Sequence, residues 1–204
     1  IVTLRDGASL VLAEDADRLS LAVTERRVDP VGGSVRKGVA LAGERRQKTG
    51  PTDAPAKAAI SHASMALAGD GTLHVLFCDG DEVRHLTHPE PGKIATMKPA
   101  AGWKSRRLSL PPRARPYDLE ATSEGMLAVF ADSDERMWLM ELTSGRAQPL
   151  PFAGRCPVLA RAREGGAHLA FERNATVFYV RLTGERARGP GRGWRTTQPQ
   201  IAAY

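Results

Sequence analysis

A strand-turn-strand phrase recurs four times along this chain, and so regular a recurrence leaves few folds open. Its clearest copy, GDGTLHVLFCDGDEVRHL, occupies residues 69–86; SEGMLAVFADSDERMWLM follows at 123–140 and EGGAHLAFERNATVFYVR at 164–181, while a shorter version, DADRLSLAVTERR, opens the chain at 15–27. Measured between the last apolar residues of the central strands (Val23, Phe77, Phe130 and Phe171), the spacings are 54, 53 and 41 residues. Strand-rich units repeating on this scale point to an array of similar sheets, of which propeller blades are the best-known form.

Each unit parses alike. An opening strand comes first, at residues 8–13, 63–68, 117–121 and 157–162. A turn of acidic residues and glycine follows (Asp70-Gly71, Glu124-Gly125, Gly165-Gly166), because these residues tolerate the positive φ of tight turns. The second strand carries apolar residues on both faces: Leu73, Val75 and Phe77 alternate with His74 and Leu76, and Met126, Ala128 and Phe130 alternate with Leu127 and Val129. Burial on both faces is expected of a strand lying between two neighbouring sheets. A further turn (Asp79-Gly80-Asp81, Asp132-Ser133-Asp134, Asn174-Ala175) leads to a third strand, and residues 103–110 and 194–197, each introduced by Gly-Trp, read as fourth, edge strands. No stretch shows a convincing helical period, although residues 54–63 could form a short turn.

The fold expected is therefore all-β, a β-propeller or partial propeller of about four antiparallel four-stranded blades. It forms a single domain over 1–204, with units at about 8–54, 63–112, 117–152 and 157–197. Residues 1–5 read as an edge-like strand that either precedes the first unit or completes the last sheet, and 200–204 as an opening strand whose partners are missing, so the chain reads as part of a longer one. Residues 28–58, with the run Arg45-Arg46-Gln47-Lys48, read as a long loop around one strand at 34–41.

The phrase Ala63-Ser64-Met65-Ala66-Leu67, then Asp70-Gly71-Thr72-Leu73-His74-Val75, then Phe77-Cys78-Asp79 and Gly102-Trp103 resembles the repeats of bacterial sialidase-like (BNR-type) β-propellers. The fourth unit keeps the turn, His168 and Gly193-Trp194; the third keeps neither the histidine nor the Gly-Trp pair. The resemblance implies the propeller fold. Sialidases also carry Ser-x-Asp-x-Gly-x-Thr-Trp turns, an arginine cluster for a carboxylate, a Tyr–Glu nucleophile pair and an acidic proton donor. No such turn is intact here, and Tyr117, Tyr179 and Tyr204 lie in other contexts, so no catalytic residue carries over.

Composition narrows function mainly by exclusion. Two cysteines, Cys78 and Cys156, in separate units make no disulfide framework and read as reduced. No apolar run is long enough to span a bilayer and no signal peptide opens the chain, which reads as cytoplasmic rather than secreted, although a start at Ile1 leaves room for an upstream segment. The net charge is +6, with 23 arginines against six lysines. A GC-rich genome produces that bias without selection on function; the functional alternative is a surface suited to carboxylate or phosphate. His85 and His88, three apart on a strand, point to opposite faces and read as surface residues rather than metal ligands. Asp79, Asp81, Asp132, Asp134 and Glu135 occupy equivalent turns, and that turn role accounts for them without catalysis. No P-loop, nucleophile elbow or Cys-x-x-Cys is present, and no metal or cofactor is expected.

The chain thus reads as a non-catalytic binding module, a platform for another protein or for other domains of the same chain. A glycan-binding or glycan-hydrolysing propeller is the alternative, and a nucleic-acid surface on the arginine-rich edge strands is the third reading. The candidate contact residues are Trp103, Lys104, Arg106, Arg107, Arg192, Trp194 and Arg195. Each Trp could stack on a sugar or base, or else fill space between sheets.

Overall fold

The computed structural model describes residues 2–3, 9–15, 18–24, 35–43, 60–93, 102–186 and 192–202. These residues form four antiparallel sheets, each a meander of strands consecutive in the chain. The first holds β1 (Val2–Thr3), β2 (Ser9–Asp15), β3 (Arg18–Thr24) and β4 (Val35–Gly43); the second holds β5 (Ile60–Leu67), β6 (Leu73–Asp79), β7 (Glu82–His88) and β8 (Lys104–Leu108). The third comprises β9 (Arg115–Thr122), β10 (Gly125–Ala131), β11 (Arg136–Glu141) and β12 (Arg146–Ala153). The fourth comprises β13 (Arg155–Arg161), β14 (Ala167–Arg173), β15 (Thr176–Arg186) and β16 (Arg192–Thr196), with β17 (Gln200–Ile201) added beside β15. The only helical turn among the described residues is a single 3-10 turn at Pro91–Lys93. No helix there is long and apolar enough to cross a membrane.

The repeated phrases correspond to β3 in the first sheet and to the hairpins β6–β7, β10–β11 and β14–β15 in the others, each preceded by its opening strand. Their turns follow from residue chemistry. Asp70 Oδ1 accepts the Thr72 N–H at 2.8 Å while Gly71 supplies a φ of 90°, and Asn174 and Ala175, at 51° and 57°, close a two-residue hairpin of the type that matches strand twist. Gly102 precedes Trp103 for a packing reason. Its φ is 80°, and a Cβ there would stand 2.5 Å from Nε2 of the buried His88.

Three apolar cores lie between successive sheets. Leu10, Leu19 and Leu21 meet Leu73, Val75, Phe77 and Leu86 between the first and second. Leu76, Cys78 and Val83 meet Met126, Ala128, Phe130 and Met140 between the second and third. Leu127, Val129 and Leu139 meet Leu169, Phe171, Val180 and Trp194 between the third and fourth. So β6 and β10 each bury both faces, as their double-sided pattern requires. The opening strands stand side by side, β2 against β5, β5 against β9 and β9 against β13. In β5, β9 and β13 a bulge falls opposite Phe77, Phe130 and Phe171 in turn. Each adds a residue to the opening strand and sharpens its twist.

Several expectations change. Residues 200–201 do not open a further sheet: they pair with Phe178 and Tyr179 of β15. Val2–Thr3 pairs with β2 and so belongs to the first sheet rather than completing the last. His85 and His88 do point to opposite faces, but both are buried, 4 % and 1 % exposed, because β7 also lies between sheets. Cys78 is buried and Cys156 exposed, with no disulfide between them. Residues 44–59, which include the Arg45-Arg46-Gln47-Lys48 run and most of the helical turn expected at 54–63, lie outside the described residues.

Candidate functional site

The seven candidate contact residues do not converge. Trp103, Lys104, Arg106 and Arg107 belong to the second sheet, Arg192, Trp194 and Arg195 to the fourth, and the third sheet stands between. Trp103 packs edge-on against His88, ring centroids 5.0 Å apart, beside the core between the first two sheets. Trp194 is 5 % exposed, and its backbone is clasped by the third sheet: Gln148 Nε2 donates to Trp194 O at 2.8 Å, and Trp194 N donates to Gln148 Oε1 at 3.0 Å. Both tryptophans therefore fill space between sheets. Lys104 and Arg195 are exposed, and Arg107 is 3.0 Å from Glu82. The Arg192 backbone pairs with Arg186 in the sheet, while its side chain lies outside the described residues.

Arg106 does more than blunt an edge strand. Its Nε donates to His85 Nδ1 at 3.0 Å, its Nη2 donates to the Leu142 carbonyl of the third sheet, and His85 Nε2 lies 2.9 Å from His74 Nδ1. Since Arg can only donate, His85 Nδ1 is bare, His85 Nε2 carries the hydrogen, and His74 Nδ1 accepts it. Both rings are thereby fixed as neutral tautomers. Burial, and then His74 and Arg106, push the His85 ring down to about 3; burial also lowers His74, against the pull of Asp70.

The acidic turns are both structural and connective. Asp132 accepts the Asp134 N–H at 2.9 Å, the Arg136 N–H at 3.0 Å and Arg136 Nε at 2.8 Å. Burial raises its carboxyl, yet those bonds and the Arg136 charge hold it below the ordinary range. Two turns also receive the first residue of the next sheet: Arg115 reaches Asp81 at 2.9 Å, and Arg155 pairs with Glu135. These equivalent contacts tie the second sheet to the third and the third to the fourth.

Along the opening strands, Asp118 and Glu120 share the face of β9 turned toward the fourth sheet. Asp118 Oδ1 accepts the Leu119 N–H at 2.8 Å, and Oδ2 accepts the Leu159 N–H of β13 at 2.7 Å. Burial raises both carboxyls, opposed by backbone N–H groups and, for Glu120, by Arg161. The arrangement holds the two opening strands β9 and β13 together and leaves Asp118 committed to backbone. Asp118→Asn, which keeps one acceptor oxygen, is expected to cost about 1 kcal/mol in urea unfolding. No change would show that the β9–β13 contact is dispensable.

The fourth sheet is unlike the middle two. On β14 only Ala167, Leu169 and Phe171 are buried against a core, while His168 and Glu172 are exposed. Cross-strand register places Val158, Ala170, Tyr179 and Gln200 in one row of the opposite face. Ala160, His168 and Arg181 form the next row, and Glu172 with Val177 another. Val158 is 54 % exposed, Tyr179 39 % and Val177 37 %. The alternation in β14 and β15, and not the edge-strand tryptophans, carries the sequence signal for this outward apolar row.

Among the described residues no group of three or more His, Cys, Asp or Glu side chains could hold a metal ion. No protein-family model matches the chain, and no curated protein matches it. Among solved structures it is similar to the crystal structure of a protein of unknown function from Bacteroides caccae, at 13 % identity and a TM-score of 0.43, covering 95 % of this chain. The match takes in 62 % of that protein, so this chain spans less than two thirds of its length.

Proposed function

We propose that the four sheets are blades of an open, propeller-type arc and that the chain is a binding platform for another protein, with the outer face of the fourth sheet as its docking surface. The side-by-side opening strands and the middle sheets buried on both faces support the arc. The observation that carries the function is the uncovered row of Val158 and Tyr179, with Val177 beside it, on a sheet whose other face is a closed core. Exposed apolar side chains grouped on one face and rimmed by polar residues mark a contact surface. A glycan-hydrolysing site would need acidic groups free to act, whereas Asp118 is held by two backbone N–H groups.

The test compares baits. The wild-type chain and a Val158→Glu/Tyr179→Glu variant are used to capture proteins from the source cell. Partners retained by the wild type and lost by the variant, at an unchanged melting temperature, support the reading. Equal recovery by both baits overturns it.

A further inference from the structure

The chemistry of the partner is written in the charge of the fourth sheet, an inference that rests on the docking surface just proposed. From residue 155 to 195 the chain carries nine arginines, three glutamates and neither lysine nor aspartate. That surplus equals the +6 of the whole chain, so the remaining four fifths or so are neutral in sum. On the outer face itself, Arg181 shares a row with His168, and Arg195 stands opposite Thr183 one row beyond, against Glu172 at the other end. Arg181 also reaches Glu164 of the β13–β14 turn at 3.0 Å.

Guanidinium binds carboxylate and phosphate equally well in geometry, so charge alone leaves two classes of partner. The apolar side chains decide between them. Bases bind such surfaces by stacking on aromatic rings. Val158 and Val177 have no π-face, and the one ring in the row, Tyr179, has its hydroxyl held at 2.5 Å by Gln200. Valines and a tyrosine in rows next to arginine suit aliphatic side chains and carboxylates placed two residues apart, on one face of an extended segment.

We propose that the outer face of the fourth sheet docks an acidic protein segment, whose apolar side chains cover Val158, Val177 and Tyr179 while its carboxylates meet the arginines of this sheet. The segment is extended, since rows of a sheet face match side chains spaced two apart.

Fluorescence anisotropy with the full chain tests this using three probes: a Glu–Leu dodecapeptide with Leu at alternate positions of its first half, Glu at alternate positions of its second half and Ser elsewhere, a Glu–Ser version with Ser in place of each Leu, and a single-stranded oligodeoxynucleotide of equal charge. The Glu–Leu peptide is expected to bind about tenfold more tightly than the Glu–Ser peptide. Its affinity should fall as salt rises and drop about tenfold in Val158→Ser/Tyr179→Ser. Equal binding of the two peptides, tighter binding of the oligonucleotide, or no peptide binding overturns the inference. If the peptides fail while the bait comparison succeeds, only the acidic character of the partner is lost; if both fail, the docking surface itself is lost.

Discussion

Phe130→Ala is expected to lower the unfolding free energy by about 3–5 kcal/mol, and Leu127→Ala, on the opposite side of the same strand, by about 2–5 kcal/mol. Both side chains are fully buried. Phe130 faces the second sheet among Leu76, Met126 and Met140, whereas Leu127 faces the fourth among Leu169 and Val180. Truncating either removes apolar surface from a core and leaves a cavity whose walls belong to two sheets, so relaxation is only partial. In an ordinary two-layer sheet one of the two substitutions would fall on the solvent side and change stability by no more than about 0.5 kcal/mol. The fourth sheet supplies that comparison within the same protein. Leu169→Ala, facing the core, should cost about 2–5 kcal/mol, and His168→Ala, on the outer face, close to nothing. Urea unfolding of the four variants reads the difference directly. If either β10 substitution proved harmless, the sandwiched position of the third sheet would be wrong.

That contrast explains what could be seen in the residues beforehand. The alternation Leu73, Val75, Phe77 against Leu76 and Cys78 shows a strand with no water on either side, and the Asp-Gly and Asn-Ala turns mark where it reverses. Strand periodicity is local and so legible. The β12 edge strand escaped because Pro149 and Pro151 interrupt its pattern and no Gly-Trp introduces it, although proline is tolerated on an edge. The bulges opposite Phe77, Phe130 and Phe171 escaped because one inserted residue leaves no trace in composition. For the histidines of β7 the two-residue period assigned the faces correctly, but exposure depends on the neighbouring sheets, which no single strand encodes. The two tryptophans, which could stack on a ligand or fill space between sheets, fill space. The outward row Val158, Ala170, Tyr179 comes together only through cross-strand register.

The buried histidine pair makes the protein sensitive to acid in a defined window. The ring of His85 has a folded value near 3 against an ordinary 6.5, so between these limits the unfolded chain binds a proton that the fold refuses. A depressed histidine therefore contributes stability above pH 6.5 and loses it as pH falls toward 3. At pH 5 the loss from His85 alone is about 2 kcal/mol relative to pH 7. His74 adds to it in the same sense, since burial lowers it too. The charged groups acting on the pair are Asp70 from its own sheet, which favours His74 protonation, and Arg106, which opposes both. The facing surface of the third sheet offers Met126, Met140 and Leu142, none of which titrates. Asp118 and Glu120 work in the opposite sense nearer pH 4, because protonating a carboxyl raised by burial favours the fold. His85→Gln separates these effects. A Gln carbonyl can accept from Arg106 and its amide can donate to His74, so both contacts survive while the titration disappears. Unfolding free energies at pH 7 and pH 5 should differ by about 2 kcal/mol less in His85→Gln than in the wild type. Equal slopes in the two proteins would mean that His85 takes up its proton in the fold, and that the Arg106–His85–His74 chain does not hold it neutral.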